Sequence, residues 1–568
     1  MNLFRHREKP RYRREEEMHR RRIFRLRLAL SILSGVMLGA AFPPSTLGVL
    51  ACFGLVPLLI VLADIESTGQ ALRYTYLAIL VFHVITLNWT GDYLQMKDPY
   101  MMIAGAVTMT VHPFFYFIPI GLYLYVRNRL GPRAALLALP FLWVGYEYSH
   151  TLSEWSFPWL TLGYTQTYDL ARIQIAEYAG VFGLSFWILI LNVLAFLIYS
   201  AGARGKMFDA PVQRLLLVFL VVFLAPLVYG IVVLANAKVD GDHPAMDKGT
   251  VSVGIVQPNL DPWERWSTQG RSIIEKCWTL TGKLRAGSIR PQIVLWPETV
   301  VPYFILLPSN KGLLNEMKER AKADSVAVLF GLPQMVVYPD SASTPKTART
   351  DPMTGQHYDI FNAAAFIQPA VDSVPWYGKM KLVPIAERVP YADLFSALDF
   401  LRWGVGIGGW QIGPGHVVFE DKTTGARFST AICYESVYPD FVAESVLRGA
   451  EFLTIITVDS WWDHMSGAYQ HERFAVFRAV ENRRWVARCA LGGISCYIDP
   501  YGRYYEATGL MTQAALSMTI GRSAALSFYT RNGDIGGIIC LWMAGGFVVS
   551  AAGRAFYIRT RKQQWRES

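Results

Sequence analysis

The chain has 568 residues, of which 52% are hydrophobic and only 17% charged, and the apolar residues are concentrated before about residue 236 and after about 534. That distribution excludes a uniformly soluble protein and predicts membrane spans around a water-soluble body at 245–530. The net charge of +10 crowds into arginine-rich ends at 5–27 and 554–566, each abutting an apolar segment, which suits an anionic leaflet and excludes nucleic acid, since no recognition motif accompanies the charge.

In chain order, a basic tail (1–25) precedes apolar stretches at 26–42, 47–63, 71–89, 101–126, 134–147, 179–199 and 215–236, and an eighth lies at 535–552. Each is expected to cross a bilayer as a helix. Basic residues mark alternate connections: Arg73, then Arg127, Arg129 and Arg133, then Arg204, Lys206 and Arg214. The positive-inside rule keeps both tails in the cytoplasm, and an odd number of crossings puts the body outside. The expected domains are a tail at 1–25, a seven-helix membrane domain at 26–240, a catalytic domain at 245–530, a last helix at 534–553 and a tail at 554–568. No small-residue cleavage site follows the first span, which argues against a signal peptide. No charged residue sits deep in a span, as a transporter's coupling site would require. Between the fifth and sixth spans, Glu154-Trp155-Ser156-Phe157-Pro158-Trp159-Leu160 reads as an interfacial aromatic belt, with a segment flanking a lipid entrance as the alternative.

The body alternates. Strands are expected at 251–256, 292–295, 326–330, 361–367, 428–432, 452–457 and 485–490, with helices at 269–284, 310–323, 441–449 and 471–482. Such alternation predicts a layered α/β body with crevices at its strand ends. Apolar stretches at 300–307 and 394–410 are candidates for loops that dip into the interface.

Of the six cysteines, none has the CxxC or Cys/His spacing of a zinc site, so neither metal nor cofactor is expected. Cys489 and Cys496 could pair in an oxidising compartment. Cys433 ends the apolar and β-branched run Phe428-Ser429-Thr430-Ala431-Ile432; a lone cysteine there is first of all a small buried hydrophobe and only second a nucleophile. Two other stretches favour chemistry. Trp296-Pro297-Glu298 halts a buried strand beside a carboxylate, and Tyr377-Gly378-Lys379 sets a lysine in a turn ahead of Leu382-Val383-Pro384. Glutamate, lysine and cysteine at strand ends supply a base, an oxyanion stabiliser and a nucleophile for acyl transfer. A thiol needs only modest help from such neighbours to ionise.

These motifs, with Cys433-Tyr434-Glu435, resemble the nitrilase, or carbon–nitrogen hydrolase, superfamily, and the span pattern is similar to its apolipoprotein N-acyltransferase family. The resemblance implies a polytopic α-helical membrane domain of eight spans plus a nitrilase-like αββα sandwich. It implies Glu298 as general base, Lys379 as oxyanion stabiliser and Cys433 as nucleophile, supported by Glu387, Tyr434, Glu435 and Trp266. Gln257-Pro258-Asn259, Asp459-Ser460-Trp461-Trp462 and Gln470-His471 resemble further signatures. The implied reaction acylates the α-amine of the S-diacylglyceryl cysteine of bacterial lipoproteins from a phospholipid donor, through a thioester. The implied protein is a monomer of the bacterial inner membrane with its catalytic domain on the periplasmic side. A membrane-anchored amidase hydrolysing a small amide is the alternative. Lys381 stands where many relatives have histidine, and Ile385-Ala386 where they have Phe-Gly, which bears on the site's lining rather than on its functional groups. Glu387 and Glu435 fit an orienting role or simple ion pairing, and Trp266 and Tyr434 fit acyl-chain contact or core packing.

Overall fold

The computed structural model describes residues 9–91, 99–237, 247–263, 270–339, 344–345, 348–391 and 409–567. The chain divides into two units: Met1–Tyr146, Ser185–Leu224 and Ile539–Ser568 form one, and Glu147–Leu184 with Ala225–Ile538 forms the other.

The first unit is helical. Among the described residues, six helices are long and apolar enough to cross a membrane: Glu15–Ala40, Thr68–Gly91, Met101–Leu130, Ala176–Gly202, Ala210–Asn236 and Ile535–Trp565. The remaining two expected spans are helical but differ in kind. Gly48–Ala63 is shorter, a 3-10 turn at Gly48–Cys52 leading into Val56–Ala63. Pro132–Thr151 carries Pro140 and ends in polar residues. Where the main chain breaks between Gly48–Cys52 and Val56–Ala63, Asn192 substitutes for helical partners: it accepts from Leu55 N at 2.8 Å and donates to Ala51 O at 2.8 Å. Such compensation is what irregular backbone needs away from water. The first helix packs closely on Thr68–Leu87 because Gly35 lies against it; a Cβ there would stand 2.3 Å from Ala78 O, the close approach that small residues permit between apolar helices.

The second unit holds two sheets. In chain order the strands are β1 (Thr250–Gln257), β2 (Ile293–Leu295), β3 (Ala327–Tyr338), β4 (Arg349–Thr350), β5 (His357–Ile367), β6 (Trp376–Gly378), β7 (Phe419–Asp421), β8 (Ala426–Ile432), β9 (Phe452–Thr457), β10 (Val486–Ala490), β11 (Cys496–Ile498), β12 (Tyr504–Tyr505) and β13 (Ala514–Gly521). One sheet runs β13-β1-β2-β3-β5-β4 with β6 on β5, and the other β12-β11-β10-β9-β8-β7. In each, parallel strands (β1, β2 and β3; β8, β9 and β10) are flanked by antiparallel ones. Parallel strands covered on both faces read as continuous apolar runs, and β2, β9 and β10 are buried throughout. The sheets lie face to face: Cys489 of β10 reaches Val256 O and Leu295 O at 3.3 Å, and Tyr497 Oη donates to Val253 O at 2.7 Å. Helices Gly270–Arg285 and Lys311–Asp324 cover the outside of the first sheet. Pro439–Leu447 and Ser466–Asn482 cover the second, where Phe441, Val442 and Arg478 meet Ala431, Leu453 and Ile455. The result is the expected αββα sandwich.

One open alternative closes and two expectations change. Cys489 and Cys496 are both free thiols, because β10 and β11 pair Cys496 with Arg488 rather than with Cys489. In the stretch 300–307, Val300, Val301 and Ile305 lie in the core under the first sheet's helices instead of at an interface; the stretch 394–410 lies outside the described residues except for its last two, Gly409 and Trp410. The aromatic segment is only partly a surface feature: Trp155 is 45% exposed, but Trp159 is 1% exposed, and Pro158–Leu160 and Leu162–Gln166 are buried 3-10 turns within the second unit.

Candidate active site

Parallel strands end where their main-chain groups lose partners, and the functional side chains sit at those ends. Strand β8 delivers Cys433 at φ +51°, a left-handed conformation that costs a non-glycine residue about 1–3 kcal/mol and persists only where its surroundings hold it. The chain then turns at once into the 3-10 segment Cys433–Val437, a sharp elbow that presents the thiol at the sheet's edge.

Glu298 follows β2 and is 5% exposed. Its main chain is pinned to β3, with Gly331 N donating to Pro297 O at 3.1 Å and Val301 N to Gly331 O at 3.1 Å. Only glycine fits there, since a Cβ on Gly331 would lie 2.5 Å from Glu298 Cα and 2.3 Å from Thr299 N. Lys379 follows β6 and is wholly buried. Its Nζ lies 2.8 Å from Glu387 Oε1 and 3.5 Å from Glu298 Oε1. Asn362 joins the two carboxylates from β5, donating to Glu298 Oε1 at 2.7 Å. Burial by itself would lower the Lys379 pKa, but Glu387 and Glu298 more than reverse that and hold the ammonium charged.

Glu435, two residues past the cysteine, ties the elbow to the lysine's loop. One oxygen accepts from Ile432 N at 2.7 Å; the other accepts from Tyr377 Oη at 2.6 Å, Met380 N at 2.6 Å and Lys381 N at 3.2 Å. Burial lifts its carboxyl to about 7 against hydrogen bonds that favour the ionised form. Glu387 likewise braces its own loop, accepting from Val383 N at 2.8 Å. Both carboxylates orient main chain around Lys379, which goes beyond surface ion pairing.

The Cys433 thiol is pushed up by burial and by the Glu298 charge, against Lys379 and the Thr457 hydroxyl. The raised pKa favours the thiol over the thiolate at rest. Tyr434 does not line an open chamber: its hydroxyl donates to Ser156 O at 3.0 Å, and its ring stacks on Trp159 and Phe157. Lys381, at the histidine position, lies over the Tyr438 ring at 5.0 Å.

The remaining signatures divide. Gln257 and Asn259 fasten the end of β1 to the loop at 509–512. Asp459 and His471 form a buried array behind Cys433, and Gln470 accepts from the Trp159 indole at 2.7 Å. Trp266 lies outside the described residues. Asn362 and Arg488 were not anticipated, each being a polar group inside an otherwise apolar strand, and Tyr377 stood in the lysine's motif without a role of its own.

Residues 34–194 match the family model of the apolipoprotein N-acyltransferase N-terminal domain, and 252–525 that of carbon–nitrogen hydrolases. The apolipoprotein N-acyltransferase of Chlorobaculum tepidum is 35% identical over 534 residues, 92% of this chain and 96% of its own length. That of Geobacter metallireducens is 28% identical over 529 residues, 92% of this chain and 94% of its own length. Among solved structures, Saccharomyces cerevisiae Nit3, a nitrilase-superfamily member, is 15% identical with a TM-score of 0.36, over 48% of this chain and 90% of its own. With both halves matched in order, and a relative aligned almost end to end, the chain belongs to the apolipoprotein N-acyltransferase family.

Proposed function

We propose that this enzyme acylates the α-amine of the N-terminal S-diacylglyceryl cysteine of bacterial lipoproteins, the last step of their maturation, with a membrane phospholipid as donor. The observation that carries the chemistry is the buried ammonium of Lys379, flanked by Glu298 and Glu387 and tied through Glu435 to the Cys433 elbow.

In this reading Glu298 accepts the Cys433 proton, and the thiolate attacks the sn-1 ester carbonyl. A C–S bond forms while the carbonyl electron pair moves to oxygen, where Lys379 and the Tyr434 N–H stabilise it. Collapse breaks the ester C–O bond, and the glycerol oxygen leaves with the proton from Glu298 as lysophospholipid. The lipoprotein amine then attacks the thioester; the C–N bond forms, the C–S bond breaks, and the amine proton passes through Glu298 back to sulfur.

Both substrates are lipids, and withdrawing either from a bilayer costs roughly 0.8 kcal/mol per exposed methylene. The reading therefore places the body at 245–530 on the periplasmic surface of the inner membrane, as a monomer. Helices within 26–240 and 534–553 supply eight spans, with the tails 1–25 and 554–568 in the cytoplasm. The test is mass spectrometry of the full-length enzyme after incubation with phospholipid alone. An acyl group bound to Cys433 and labile to hydroxylamine is expected; its absence, or acyl transfer that survives Cys433→Ala, removes the reading.

A further inference from the structure

Behind the elbow lies a polar array that the mechanism above does not use. His471 Nε2 is 3.1 Å from the main-chain carbonyl of Cys433 and 3.0 Å from Ser436 Oγ, and Ser436 Oγ is 2.8 Å from the same carbonyl. His471 Nδ1 lies 2.9 Å from Asp459 Oδ1, and Arg488 donates to Asp459 Oδ2 at 2.7 Å and to Ile494 O at 2.6 Å. All three side chains are fully buried. Arg488 also stands 3.1 Å from His471 Nδ1. Buried Glu472 is the next charged group, interacting with both Arg488 and Asp459.

Carbonyl and carboxylate oxygens only accept, so both contacts are hydrogen bonds when His471 donates from each ring nitrogen, Nε2–H to Cys433 O and Nδ1–H to Asp459 Oδ1. Burial alone would raise the Asp459 carboxyl, yet Arg488 and His471 hold it at about 2, so it stays an anion that fixes the ring's orientation. The consequence passes through one peptide. In a planar trans peptide the C=O of Cys433 and the N–H of Tyr434 point in opposite directions. Anchoring the carbonyl on His471 and Ser436 thus aims the Tyr434 N–H the other way, and hydrogen bonding to the oxygen makes that N–H a stronger donor. Tyr434 stands at the start of the 3-10 turn, where a main-chain N–H has no partner within the turn.

We propose that His471, oriented by Asp459 and Arg488, is a positioning residue that aims the Tyr434 amide at the oxyanion through the Cys433–Tyr434 peptide. The proposal rests on reading Cys433 as the nucleophile. Its test separates two reactions of that sulfur in full-length enzyme held in lipid nanodiscs: thioester formation from a diacyl phospholipid, which builds an oxyanion, and alkylation by iodoacetamide, which does not. In His471→Ala, thioester formation falls at least about tenfold with KM unchanged while alkylation stays within about twofold, and His471→Gln, which keeps an N–H donor, recovers part of the loss. Equal loss of both reactions, or of neither, overturns the proposal. Should His471→Ala fail to fold, Asp459→Asn leaves the ring in place without the anion that orients it; slower thioester formation with normal alkylation is expected, and no slowing overturns the proposal. Persistence of acyl transfer in Cys433→Ala removes the nucleophile reading itself, an outcome distinct from any of these.

Discussion

At rest Cys433 keeps its proton, because burial and the Glu298 charge push its pKa up more than Lys379 and Thr457 pull it down. Glu298→Gln removes one of the upward pushes, so the thiol ionises at lower pH and alkylates faster at a fixed pH near 8. If Glu298 is also the base, acyl transfer in the same variant falls by about 10²–10⁴-fold. Two rates moving in opposite directions distinguish a proton acceptor from a charge that merely fills space; slower alkylation with transfer retained would assign Glu298 to structure. Glu298 and Cys433 were legible as candidates because each is a reactive group placed where an apolar run stops, and Lys379 because it sits in a glycine turn just ahead of one. Asn362 was not, since Phe361-Asn362-Ala363-Ala364-Ala365 looks like any buried strand, and nothing local reveals that its amide lies between carboxylates from two other elements.

Among the elements, β3 sets the position of Glu298, the proposed base, without contributing a functional group. Gly331 lets its main chain touch that of Glu298 and Thr299. An alanine there must push the two strands apart, so Gly331→Ala is expected to cost about 1–3 kcal/mol of stability and to slow thioester formation with every reactive side chain intact. Thermal unfolding and a single-turnover thioester assay check this; wild-type values in both would mean that the approach relaxes freely. The buried parallel strands were visible as apolar runs. Strand β6 is too short to show a period, and β13, half-buried along most of its length, blends into loop composition. The segment 154–160 shows why composition has limits. Aromatic residues at a membrane surface and aromatic residues packed under the Cys433 turn look the same until Trp159 is seen bonded to Gln470 and stacked on Tyr434.

For the whole molecule, hydropathy counts apolar residues but not crossings, and charge asymmetry sets direction only when the count has the right parity. The segment at 47–63 therefore decides the topology: its helix is short, and if it fails to cross, every later segment changes sides. Single cysteines in a Cys433→Ala background can read this, because the other native cysteines are buried. Leu47 and Met353 are 52% and 94% exposed, as are Phe208 at 90% and Trp565 at 82%. With the eight-span arrangement, Leu47→Cys and Met353→Cys react with a membrane-impermeant maleimide on intact spheroplasts. Phe208→Cys and Trp565→Cys react only after lysis, as the basic residues beside them require. Labelling of Leu47→Cys from outside with Met353→Cys protected would mean an even number of crossings between them has become odd, with 47–63 or 134–147 the first suspect. The body would then face the cytoplasm, away from the surface where the proposed reaction needs it.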